Sequence, residues 1–151
     1  MKSRYRVASL RALVVMARRV RDHMSRASEL FACTASAEDG FQGATDAAML
    51  TAGAVLDVLA AHSCSIGNGE CMMPNVGQAG DGGVDLFWIT KRGRFLVWVD
   101  GDGKSATCSW IAEGGDGVSF SCPLFSGDLD GIDPDLMERI AGIVSDSEVA
   151  P

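Results

Sequence analysis

"GGVDLFWITKRGRFLVWVDGDGKSATCSW", residues Gly82–Trp110, holds all three tryptophans of a 151-residue chain. Its β-branched and aromatic residues fall into runs separated by glycine-bearing turns, which is the signature of short strands. Together with the residues that follow, it predicts four strands: Val84–Thr90, Arg94–Asp100, Ala106–Ala112 and Val118–Cys122. The connections "KRG", "GDGKS" and "EGGDG" are short, and short connections join antiparallel neighbours. A four-stranded meander is therefore expected.

The turn lengths suggest a register. If "KRG" is a three-residue turn, Thr90 faces Arg94, Trp88 faces Leu96 and Leu86 faces Trp98. If the next turn pairs Asp100 with Ala106, the same face continues through Cys108 and Trp110. The tryptophans then form one packing layer, because a slip of one residue would send a strand's whole set to the other side. On the opposite face Phe87, Ile89, Phe95, Val97 and Val99 are expected. That patch is too apolar for free solvent and calls for a cover of helices, a second copy or another protein.

Outward from this core, the chain closes with "DPDLMERIAGIVSD" (133–146). Asp133 suits a helix N-cap and Pro134 the first helical position, while Asp135 complements the helix dipole. Leu136, Ile140 and Ile143 or Val144 form a stripe able to lie on the sheet. In the other direction, residues 63–82 ("SCSIGNGECMMPNVGQAGDG") lack periodicity and read as a linker loop. Before it, a helix over about 45–62 shows Met49, Ala52, Leu56 and Leu59 on one face. A longer helix over about 4–31 shows Leu10, Leu13, Ala17, Val20, Met24, Ala27 and Phe31 at heptad spacing. The two predict an antiparallel helical hairpin. The expected fold is α+β: the hairpin (1–62), the linker (63–82), then the meander with its C-terminal helix packed on the sheet (83–151), all one folded unit.

Charge is distributed unevenly. Residues 1–32 carry eight basic and two acidic residues, while the rest carry five basic and eighteen acidic ones. The overall net charge of −7 hides this contrast. A basic helix can dock on an acidic protein surface, either this chain's own or a partner's, it can neutralise nucleic-acid phosphates, or it can be a solvated outer face. No Gly-Phe-type RNA-binding motif accompanies the arginines. Arg11, Arg18, Arg19 and Arg26 are the candidate contacts, beside Phe87, Ile89, Phe95 and Val97 of the apolar sheet face.

Candidate chemistry is sparse. His62, Cys64 and Cys71 offer three metal donors, but the spacing fits no structural zinc motif, and no metal or other cofactor is expected. Asp100-Gly-Asp102 and Asp128-Leu-Asp130 begin like calcium loops, yet their twelfth positions are Ile111 and Arg139 instead of glutamate. Both read as turns. "GQAGDG" (77–82) lacks the Lys-Ser/Thr that follows the glycines of a phosphate cradle. The two histidines, His23 and His62, stand beside no recognisable nucleophile, and a non-enzymatic role is expected. His23 reads as part of a solvated helix face, and Cys108 and Cys122 as small buried hydrophobes.

Five cysteines without a Cys-x-x-Cys pair suit a reducing compartment. "ASA" (35–37) and "LFAC" (30–33) mimic processing sites, but arginines interrupt the apolar segment such sites require. With no run of about 20 apolar residues, membrane association is not expected, and a cytoplasmic location is.

Gly82-Gly83, Leu86-Phe87-Trp88, Asp102-Gly103, Phe125-Ser126-Gly127 and the helix Asp135–Val144 together resemble a pattern in a diffuse group of short, largely uncharacterised bacterial proteins. The resemblance covers residues 82–144, and its motifs are structural. Such proteins look like accessory products of mobile elements and of defence or toxin–antitoxin neighbourhoods, which implies a protein-binding role. The basic helix lies outside the resemblance. The expectation is thus an accessory or regulatory protein working through protein contacts, homo- or hetero-oligomeric. A nucleic-acid-binding accessory protein using the arginine-rich helix is the alternative.

Overall fold

The computed structural model describes residues 10–34, 43–66, 71–79, 81–113 and 119–145. Their elements follow in the order α1 (Leu10–Thr34), α2 (Asp46–Ile66), β1 (Asn75–Gln78), β2 (Val84–Thr90), β3 (Gly93–Val99), β4 (Ser105–Ala112), β5 (Phe120–Ser126), a single 3-10 turn (Leu129–Gly131) and α3 (Pro134–Val144). The class is α+β, as expected. The antiparallel sheet has five strands in the sequential order β1-β2-β3-β4-β5, not four. Residues 4–9 of the expected first helix and Val118 of the expected last strand lie outside the described residues.

The additional strand corrects the reading of 63–82 as a linker. Residues 63–66 continue α2, and Asn75–Gln78 pair with Val84–Phe87 of β2. "NVGQ" shows no alternation of its own; pairing to β2 makes it a strand. Trp88 fixes the approach to it, its indole Nε1 donating to the Met72 carbonyl oxygen over 2.7 Å.

Register differs from the expected one by a single residue, with a large consequence. Thr90 pairs with Gly93, so Trp88 faces Phe95 and Leu86 faces Val97. The turn contains Lys91 and Arg92 only. Thr90 fastens it, its hydroxyl accepting from the Arg92 amide and donating to the Gly93 carbonyl oxygen, each over 3.1 Å. Gly93 thereby enters the strand, and only glycine fits there. A Cβ at this position would lie 2.2 Å from the Ile111 carbonyl oxygen and 2.9 Å from the Trp110 ring, with φ at +154°. The next turn slips as well, pairing Val99 with Ala106. Two slips cancel, so β2 and β4 show the expected faces and β3 alone is inverted.

The inner face is therefore Val84, Leu86, Trp88, Phe95, Val97, Val99, Ala106, Cys108 and Trp110, all buried. Phe95 and Val97 are correspondingly not on the open face. Trp98 does not join the other tryptophans; it lies on the open face and is half-buried. A bulge between Ala106 and Thr107 shifts β5, and Leu124 and Phe125 beyond it are both buried.

All three helices cover the inner face. Central α2 is apolar nearly all round, burying Ala48, Ala52, Val55, Leu56, Leu59 and Ala60, as expected of a helix with neighbours on both sides. It packs against α1 and α3 and onto β2 and β3. The α1–α2 pairing is antiparallel: Met24 adjoins Gly53, and Arg21, one turn earlier, adjoins Asp57, one turn later. The buried stripe of α1 is Met16, Val20, Met24 and Ala27, whereas Leu10 is 78% exposed and Ala17 is also exposed. The stripe is thus rotated from the expected heptad, because a straight helix has 3.6 residues per turn and drifts off a 3.5-residue seam. His23, expected on a solvated face, is half-buried, its Nε2 donating to the Pro74 carbonyl oxygen over 2.5 Å.

The glycine-rich turns meet the start of α2. Thr45 caps the helix, accepting from the Ala48 amide over 3.0 Å while donating to the Gly101 carbonyl oxygen over 2.5 Å. Thr51 donates to the Gly103 carbonyl oxygen over 2.7 Å. Gly103 has φ of +71°, and a Cβ on it would meet the Ala47 carbonyl oxygen at 2.6 Å. On α3, Asp133 caps as expected, accepting from the Asp135 amide, with Pro134 in the first turn. The helix lies beside α2 and buries Met137, Ile140, Ala141, Ile143 and Val144, with Leu136 half-buried.

Candidate functional site

With the helices on one side, the other side of the sheet has no cover among the described residues. Strand pairing arranges its side chains in three cross-strand rows. The middle row runs Asn75, Phe87, Leu96, Ser109, Ser121. One flanking row is Gly77, Asp85, Trp98, Thr107, Pro123, and the other is Ile89, Arg94, Ile111. Ile89 is 46% exposed and Ile111 58%, while Phe87, Leu96 and Trp98 are half-buried. The patch is centred on β2 and β3 and turns polar toward β4 and β5.

Its two ends differ in charge. Asp81, Asp85, Asp100 and Asp102 gather at one end, with Lys104 the single base among them; Lys91, Arg92 and Arg94 gather at the other, with Glu113. Burial pushes the Asp85 carboxyl above the usual carboxylate range, and the neighbouring Asp81 charge pushes it the same way. Arg92 also reaches the helix side, donating to the Gly142 carbonyl oxygen over 3.4 Å.

Of the expected contact residues, Phe87 and Ile89 lie on this face and Phe95 and Val97 lie beneath it. Arg11, Arg18, Arg19 and Arg26 are exposed on α1, in the helical layer. The two groups therefore sit on opposite sides of the sheet and do not form one surface. Around the arginines, Asp22 and Glu29 share the exposed side of α1, diluting its positive charge. The residues overlooked in the sequence are Leu96, Trp98 and Ile111. The signal that would have found Leu96 and Trp98 is Gly93, if counted as strand and not as turn.

A groove of about 510 Å³ runs between α1 and α2. Its titratable lining groups are Arg21, Asp46 and Asp57. Partial burial raises the Asp57 carboxyl, and Arg21 opposes the shift. Ser25 and Ser28 also line it, and no histidine or cysteine does.

Elsewhere, Cys108 and Cys122 face each other across β4 and β5 with sulfurs 3.7 Å apart. Burial and the Cys122 thiol push the Cys108 thiol up to about 12. The side chain of Cys64 lies outside the described residues; Cys71 is fully buried, its thiol donating to the Met72 carbonyl oxygen over 3.3 Å. Among the described residues no three His, Cys, Asp or Glu side chains cluster as metal ligands, and no helix is long and apolar enough to cross a membrane. Asp100–Ser105 forms a hairpin turn, with the Asp102 carboxylate accepting from the Lys104 amide over 2.9 Å.

Comparison with protein-family models, with curated proteins and with solved structures finds no match.

Proposed function

We propose that this chain is a non-enzymatic accessory or regulatory protein that acts through protein–protein contacts made by the open face of its sheet. The observation that carries the reading is the group Phe87, Ile89, Leu96, Trp98 and Ile111, which no helix among the described residues covers. A one-layer cover of helices leaves the second face of a sheet to water, and that face is then normally polar. Here its centre is aromatic and aliphatic, with a polar rim, which is the composition of a contact patch. A setting in a bacterial defence or mobile-element system, and a cytoplasmic location, rest on the sequence alone.

The test is recovery of partners from the native host with tagged wild type and a tagged Leu96→Asp variant, read by quantitative mass spectrometry. Proteins retained by the wild type and lost by the folded variant support the reading. An identical set from both would overturn it.

The second reading, nucleic-acid binding through Arg11, Arg18, Arg19 and Arg26, is favoured by their exposure on α1. Phosphate contacts release counterions, so affinity would fall with salt at a logarithmic slope of about −0.9 per contact on duplex DNA. Salt-steep binding lost on neutralising the four arginines would establish it.

A further inference from the structure

We infer that the occupant of the open sheet face is a second copy of this chain, packed sheet on sheet about a two-fold axis that lies in the contact plane, perpendicular to the strands. The inference rests on the contact role proposed for that face and names its partner.

Charge selects the partner and the axis. The face is apolar in its middle, acidic at the Asp81, Asp85, Asp100 end and basic at the Lys91, Arg94 end. Such a surface is complementary to itself turned end for end. Two axes in the contact plane bring the faces together. An axis parallel to the strands stacks acid on acid and base on base; the perpendicular axis stacks each acidic end on a basic one. Juxtaposed like charges disfavour the first arrangement and opposite charges favour the second. An isologous contact of this kind closes at two subunits.

The rows fit that operation. Laid through the middle row, the axis sets Leu96 near Leu96 of the second copy and Phe87 near its own equivalent. The Trp98 row then meets the Arg94 row, placing a guanidinium over an indole face, an attractive pairing. Asp85 comes within the same neighbourhood, and the opposite charge would offset the cost of its burial. Size is adequate too. Four strands of seven or eight residues and the four-residue β1 bury roughly 1,100 Å² over both copies, the size of a weak, reversible interface.

Sedimentation velocity and light scattering on the purified full chain test this. Wild type should show twice the 15.9 kDa monomer mass at about 100 µM and dissociate on dilution, as small interfaces do. Leu96→Asp should be monomeric with unchanged circular dichroism. Because that variant risks misfolding, surface charge reversals provide the second arm. Arg94→Glu and Asp85→Arg should each weaken association by about tenfold or more, and the double variant should recover most of it. A wild-type monomer at that concentration, a dimer indifferent to Leu96→Asp, or a double variant no better than the singles would overturn the two-fold dimer. A monomeric wild type that still loses a host protein on Leu96→Asp would separate this failure from failure of the contact role itself.

Discussion

Strand β3 presents two faces built from nearly the same chemistry. Phe95, Val97 and Val99 point into the core and are essentially without solvent exposure; Leu96 and Trp98 point the other way and are half-buried. Composition does not separate them. In β2 Asp85 alone marks a polar side, since the polar Thr90 lies on the buried face, and "RFLVWV" offers an apolar set at either parity. What separates the faces is Gly93, the one residue that fits between the β4 backbone and the Trp110 ring. A single turn position therefore decides which hydrophobic set folds the protein and which stays on the open face.

The comparison is most exposed to a matched pair of truncations. Phe95→Ala should cost about 3–5 kcal/mol, as removal of a fully buried aromatic does. Trp98→Ala should cost about 1 kcal/mol or less in the monomer, since its surroundings are already half solvated. Urea unfolding of both variants, under conditions where the protein is monomeric, checks the contrast; equal losses would break it. Fluorescence offers a second view, with Trp98 readily quenched by acrylamide and Trp88 and Trp110 protected.

Gly93→Ala comes next. Its Cβ would collide with backbone, which cannot swing aside as a flexible side chain would. A loss of about 2–4 kcal/mol is expected, with β3 pushed from β4. A neutral effect would mean that the hairpin tolerates another register and that the two faces can exchange.

The inner face also carries a pH signature. Cys108 is raised to about 12 against an ordinary 9.0. A folded-state value above the unfolded one means that folding favours the protonated thiol. The stabilisation is full below about pH 9 and is lost as pH rises toward about 12. Denaturant midpoints should fall across that window, and Cys108→Ala should flatten the decline. The open-face cysteine-free rows should leave no such trace.

The smallest expected effect concerns two hydroxyls on the helix side. Ser63 and Ser145 bury Oγ atoms without a hydrogen-bond partner. Ser63→Ala removes an unsatisfied group from a helix and replaces it with the best helix former, so stability should rise by up to about 1 kcal/mol. Thermal melting reads it as a shift of a few degrees.

Much of this molecule was determined by local chemistry and is legible in the sequence. Asp133-Pro134 starts α3 because cap and ring geometry act within a few residues. The periodicity of residues 10–31 and 46–62 makes helices, and the span Val84–Thr90 is a strand to the residue. The sidedness of β4 was legible for the same reason, Thr107 and Ser109 alternating with Ala106, Cys108 and Trp110, whereas in β2 Asp85 alone marks it. Tertiary structure decided the rest. "NVGQ" becomes a strand only because β2 offers an unpaired edge. The stripe of α1 turns away from Leu10 and Ala17 because α2 and β1 set its rotation. His23 leaves solvent because the Pro74 carbonyl lies across from it. The open-face placing of Leu96 and Trp98 depended on the register of one hairpin, and that register depended on the close approach of Gly93 to a strand about eighteen residues away. Hydrophobic pattern fixes which residues seek burial; only packing across the sheet fixes which of two equivalent sets obtains it.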